Sequence, residues 1–315
     1  MYLRKITITL LLCLAFVTAN AHLIFRISGS GLKEPSYILG TVHFMSGKML
    51  DSIPAFLEAE TQCRQLYVEY DITDKQGMQD IQEQGMQITS LPDSITILDV
   101  LGKEKAEVLN GRMQEVFKLN LNDSTSKSLL HFQPVIFTNM FILSATLELL
   151  KKYPSLKQND IMDAVCVTRA RSREWNIGQL DQFILDKDSL QKRQQTLSQS
   201  IDAQVDSLMS FLDRWDTWKA STEKDFEQAE RMQEYWRQGD YKGFEEILTP
   251  ETVKNKELFE QRNKKWLPTM TEAMHIAPTL FAFGAGHLVG TDGIISMLRK
   301  AGYKVEQVGV SQDNE

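Results

Sequence analysis

The stretch that most constrains the fold lies near the end of the chain, Phe281 to Val308, FAFGAGHLVGTDGIISMLRKAGYKVEQV. Leu280–Phe283 is a short apolar run of the kind that fills a strand buried on both faces. Gly284 and Gly286 let the backbone turn sharply and come close to a ligand. His287 then stands where a strand hands over to a loop. From Gly293 to Lys300, Ile294, Ile295 and Leu298 recur at helical spacing, Arg299 and Lys300 suit a helix C-terminus, and Gly302 is placed to cap it. Tyr303–Val308 alternates like a strand.

The same layout occurs near the other end. Tyr37–Gly40 (YILG) reads as a strand, followed by Thr41, Val42 and His43, an apolar loop, a helix over Ile53–Arg64 and a strand over Leu66–Tyr70. Both copies place a glycine three residues before a histidine, Gly40 before His43 and Gly284 before His287, at the C-terminal end of a strand. That is where open α/β sheets place their ligands. The expected fold is α/β: a central mixed sheet carrying two pseudo-symmetric strand–GxxH–helix–strand units, with a large helical insertion at about 130–260. Within the insertion Pro134 opens an apolar helix to about Leu150. Asn139, Ser144, Thr146 and Glu148 interrupt it, so it reads as a core helix, not a membrane span. Leu197, Ile201, Val205, Leu208, Leu212 and Trp215 form an amphipathic stripe that needs a packing partner.

GTVH at Gly40–His43 and GAGH at Gly284–His287 resemble the paired motifs of the TraB/PrgY/GumN family, which is related to the Tiki metalloproteases. VEYD at Val68–Asp71, YWRQGDYKGFEEIL at Tyr235–Leu248 and QRNKKWLP at Gln261–Pro268 are similar to the family's acidic strand end, helix-turn-helix and following helix, in the same order. The segment Asn159–Asp181 departs from the family pattern. Asp163 fits a Gly-hydrophobic-Asp triplet, but Asn159 and Asp160 stand where its glycine is expected, and Gly178-Gln179-Leu180-Asp181 replaces Gly-Leu-Glu.

Residues 1–21 have the plan of a secretory leader: Arg4 and Lys5, the apolar run Ile6–Val17, then Ala19-Asn20-Ala21. The expected mature chain, 22–315, is one domain, periplasmic or secreted, with no membrane span; attachment of a lipid through Cys13 is the alternative. Removing the leader moves the formal charge from -7 to -9, since it carries two positive charges and no negative one. An acidic chain without a basic cluster is a poor nucleic-acid binder. Cys63 and Cys166 remain as a disulfide or as two buried thiols.

Taken alone, each GxxH is either a tight strand-end turn whose histidine bonds the backbone or one arm of a metal site, and the resemblance favours the second. Neutral imidazoles of His43 and His287 with the carboxylate of Glu69 would give a divalent ion three protein ligands and leave a position for water. Glu69 is either a ligand or the general base, and Asp71, of the same strand parity, is the reserve. The resemblance implies that Arg262, on a helix over Leu258–Trp266, points into the site, where it can meet a developing oxyanion or a substrate carboxylate. Asn263 beside it can offer the substrate a neutral hydrogen bond. His22, His131 and His275 have no His or Glu at metal-binding spacing, and HExxH, GxSxG and phosphate-loop patterns are all missing. The resemblance therefore implies a hydrolase using Mn, Co or Zn and acting on a peptide or protein. The competing expectation is a non-catalytic extracytoplasmic protein that sequesters a peptide, a polysaccharide intermediate or an iron compound.

Overall fold

The computed structural model describes residues 22–43, 45–75, 79, 89–157, 160–181, 201–256 and 258–308. The leader, its cleavage site, Cys13, Asn159 and Leu197 lie outside the described residues.

Among the described residues six strands form one mixed sheet: β1 (Ile24–Gly29), β2 (Ser36–Thr41), β3 (Gln65–Val68), β4 (Asn176–Gln179), β5 (Thr279–Gly284) and β6 (Tyr303–Gln307), in the order β4-β3-β5-β2-β1-β6. The four strands β4, β3, β5 and β2 run parallel, while β1 pairs antiparallel with both β2 and β6. Burial follows from this pairing: every residue of β2 is buried, as is all of β5 except Gly284, and their sequences read as continuous apolar runs without alternation. The two strands that carry the GxxH motifs are parallel neighbours, with Gly40 opposite Phe283 and Thr41 opposite Gly284. Both motifs therefore leave the same edge of the sheet. Glu69 follows the last residue of β3, the other parallel neighbour of β5, so it emerges at that edge too.

Contacts divide the chain into two compact units, each with its own core. The sheet unit takes in the described residues of 1–71, 158–180 and 231–315. Its helices include α1 (Pro54–Gln62), α4 (Met162–Ser172), α7 (Tyr241–Lys254), α8 (Glu260–Ile276) and α9 (Ile294–Lys300). Leu39, Phe56, Leu66, Trp266, Phe281 and Phe283 are all buried in its core. α4 is tied down by charge: Arg169 donates to both oxygens of buried Glu60, and Arg173 adds a 3.1 Å contact to the same carboxylate. Cys63 and Cys166 are buried free thiols, and burial pushes Cys63 up to about 12.

The helical unit comprises the described residues of 72–157 and 181–230. It holds α2 (Ile97–Phe117), α3 (Pro134–Lys152), α5 (Ile201–Asp213) and the first part of α6 (Trp215–Gln238). Thr96 opens α2 with a reciprocal capping box to Asp99. The stripe Val205, Leu208, Leu212 and Trp215 packs with Phe137 and Phe141 of α3. α3 is long and apolar enough to cross a membrane by length and composition. One of its stripes, Phe137, Phe141, Ala145 and Leu149, is buried in this unit, and Leu143 and Leu147 are exposed.

Candidate functional site

At the edge where β5 ends, the chain enters a short 3-10 turn, Ala285–His287. Gly284 has φ −52, so the turn does not depend on a left-handed glycine; what glycine supplies here is room. A Cβ on Gly284 would stand 3.1 Å from the Glu69 Oε1 atom, and one on Gly286 would run into the Phe259 ring at 2.6 Å. Gly40 has a packing reason of the same kind, since a Cβ there would meet Leu288 at 2.6 Å.

His287 is 2 % exposed and enclosed by aromatic rings: Trp266 lies against it at 4.2 Å between centroids, Phe259 at 5.1 Å, and Phe283 edge-on at 6.2 Å. Its tautomer follows from Asn263. The Asn263 Nδ2 group donates to the carbonyls of Asp292 (2.9 Å) and His287 (3.3 Å), which turns Oδ1 toward His287 Nδ1 at 2.7 Å. An oxygen there can only accept, so Nδ1 carries the hydrogen and Nε2 keeps its lone pair. The ring is neutral: burial pushes its pKa from 6.5 to about 3, and Arg262 pushes the same way against the pull of Glu69.

Nε2 faces Glu69 and Arg262. The nearer carboxylate oxygen of Glu69, Oε1, is 3.9 Å away and accepts from the Gly284 N–H at 2.7 Å. Arg262 bridges the two groups, with Nη2 donating to Glu69 Oε2 at 2.6 Å and Nη1 standing 3.3 Å from His287 Nε2. Its guanidinium also lies over the Trp266 ring at 4.7 Å, one helical turn along α8. His43 emerges from the neighbouring strand with an exposed ring whose Nδ1 is 3.5 Å from Asp163 Oδ2. Its pKa is raised, first by the Asp163 carboxylate, and Glu69 is close enough to add to that rise.

The structure thus brings Glu69, Arg262, Asn263 and His287 into direct contact. His43 stands within electrostatic reach of Glu69 but is turned to Asp163. Among the described residues, no three His, Cys, Asp or Glu side chains converge on one point as they stand. Asn263, expected to meet a substrate, is 1 % exposed with its amide directed into the protein, the geometry of a group that positions His287. The reserve carboxylate, Asp71, is engaged by Arg171 at 2.5 Å. The His22 ring lies tilted against Trp236, and His275 stands 3.4 Å from the Tyr303 hydroxyl. Sequence reasoning gave no role to Phe259 or Trp266, although their spacing from Asn263 and Arg262 on one helix, four residues each, signals a shared face. A cavity of about 1000 Å³ adjoins the cluster, with Phe259 and Asn263 in its wall beside Tyr241, Val253, Asp292 and Ile295.

Two histidines from parallel strand ends, one fixed as a neutral Nε2 donor beside a carboxylate, define an α/β protein with a polar site at the C-terminal edge of its sheet. The TraB/PrgY/gumN family model matches residues 23–307, nearly the whole chain, and the protein belongs to that family. No curated protein and no solved structure matches the chain.

Proposed function

We propose that this protein is a metal-dependent hydrolase that cleaves a peptide or protein outside the cytoplasm, in the periplasm or after secretion. The observation that carries the reading is the fixed tautomer of His287: Asn263 holds Nδ1–H, so the Nε2 lone pair is directed at the Glu69 and Arg262 groups. This donor chemistry fits a divalent ion. His287 and Glu69 supply a neutral nitrogen and a carboxylate 3.9 Å apart, and His43, whose Nδ1 faces a carboxylate, keeps its own Nε2 available. His43, His287 and Glu69 would hold Mn, Co or Zn, which would supply a water of lowered pKa and polarise a scissile carbonyl.

The chain's own groups do the rest. Arg262 must give up His287 Nε2 when that atom takes a ligand, and its Nη1 can then turn to the oxyanion of a tetrahedral intermediate while Nη2 holds Glu69. Trp266 beneath it keeps the guanidinium plane at the site. Glu69, steadied by the Gly284 N–H, either joins the ligands or takes the proton of the attacking water.

One observation favours a second reading, a binding protein that sequesters a peptide, a polysaccharide intermediate or an iron compound. Arg262 already satisfies both Glu69 and His287 Nε2 with the protein's own cation. The test is a peptide-library cleavage assay on the purified protein. Turnover that a chelator abolishes and added Mn, Co or Zn restores is expected; binding of peptides without cleavage under every metal condition would favour the sequestering reading.

A further inference from the structure

The two histidines are held in parallel ways by unlike partners. His287 has the neutral amide oxygen of Asn263 on Nδ1; His43 has the carboxylate of Asp163. Asp163 lies in the first turn of α4, only 8 % of its side chain is exposed, and Thr41, the last residue of β2, donates its hydroxyl to Oδ1 at 3.0 Å. That bond fixes the carboxylate's orientation. The other oxygen, Oδ2, is buried and, among the described residues, receives no hydrogen bond of good geometry, while standing 3.5 Å from His43 Nδ1. A buried carboxylate oxygen with no nearby donor but that ring is costly, so stability alone does not account for an aspartate here.

We infer that Asp163 is a positioning residue for His43: anchored by Thr41, it receives the Nδ1 hydrogen, sets the imidazole tautomer and leaves Nε2 as the donor atom. The purpose of the arrangement rests on the metal-hydrolase reading. A carboxylate or carbonyl on the far nitrogen is the usual companion of a ligating histidine, because it fixes the ring and raises the basicity of the donor atom. The partners are unlike for an electrostatic reason. His43 is exposed, and an anionic partner strengthens it as a donor without stranding a charge. His287 is enclosed by rings and touches Arg262, and a carboxylate in place of Asn263 would draw a second cation into that space.

The test reads the tautomer directly. Protein labelled with ¹⁵N at histidine, His43 assigned by the signal lost in His43→Gln, is examined without metal at a pH high enough to leave the ring neutral. Long-range proton–nitrogen correlations should show Nδ1–H in the wild-type chain, against the Nε2–H form that free histidine prefers, and Asp163→Leu should return His43 to Nε2–H. The wild-type spectrum decides the matter even if the variant does not fold. Nε2–H in the wild-type chain, or Nδ1–H unchanged in a folded Asp163→Leu, overturns the inference. Titration with Mn, Co or Zn alone should show affinity about 10–100-fold weaker in Asp163→Leu. Equal affinity in both proteins overturns the positioning role and leaves the metal reading standing. A wild-type chain with the expected tautomer but no metal affinity keeps the positioning role and overturns the metal reading.

Discussion

Burial of a neutral His287 makes the protein's stability depend on pH in a calculable way. In the unfolded chain the imidazole titrates near 6.5; in the folded protein burial, helped by Arg262, holds its pKa at about 3. Below pH 6.5 the unfolded state binds a proton that the folded state refuses, so stability falls as pH falls. The loss begins near 6.5, proceeds at about 1.4 kcal/mol for each pH unit and is complete near 3, where it totals about 5 kcal/mol. Between pH 7.5 and 5.0 the expected loss from this one residue is about 2 kcal/mol. Other groups titrate over the same range, and His43 has the opposite sign, its raised folded pKa adding stability as pH falls. The His287 contribution is therefore isolated by comparison with His287→Gln, which is neutral throughout. Urea unfolding of both metal-free proteins at the two pH values gives four free energies. The wild-type chain should lose about 2 kcal/mol more than His287→Gln on acidification. Equal losses would refute the claim that His287 is buried uncharged.

Three further outcomes follow from named contacts. Asn263→Leu keeps the volume but strands the His287 Nδ1–H inside the protein, and should cost about 2–3 kcal/mol in urea unfolding, with metal affinity falling as well. Gly284→Ala puts a methyl group 3.1 Å from Glu69 Oε1 and should shift that carboxylate off the Arg262 and Gly284 donors; turnover of any cleaved peptide should fall more than stability does. Glu60→Ala removes the carboxylate that anchors Arg169 and Arg173 and should cost about 3 kcal/mol, read as a lower urea midpoint, with metal affinity unchanged.

The two central parallel strands, β2 and β5, were legible because each is a continuous apolar run with a glycine at or next to its end. Leu280–Phe283 and Tyr37–Gly40 each extend by one residue on either side in the structure, and Gly302 does sit past α9 with φ +89. The antiparallel strand β1 was not legible. IFRISG is short, and what commits it to the sheet is pairing with β2 and β6, the latter almost 280 residues away in sequence. At the site, Glu69, Arg262 and His287 could be named in advance because each ends a strand or lies in a recognisable motif. Their mutual arrangement could not: that Arg262 bridges Glu69 and His287 depends on how α8 packs over the end of β5. Asn263 and Asp163 were visible as residues, but their roles depend on which ring nitrogen each faces, and distance in the folded chain alone reveals that.

If His43, His287 and Glu69 hold one divalent ion, metal stoichiometry will show it. The purified protein, stripped and then titrated with Mn, Co and Zn in turn, should bind at least one of them at one ion per chain. Binding should be lost in His287→Ala and in Glu69→Ala and sharply weakened in His43→Ala, with all three variants still folded by circular dichroism. A folded wild-type chain that takes up none of the three ions, or variants that bind as tightly as the wild type, would rule out a metal site on these three residues.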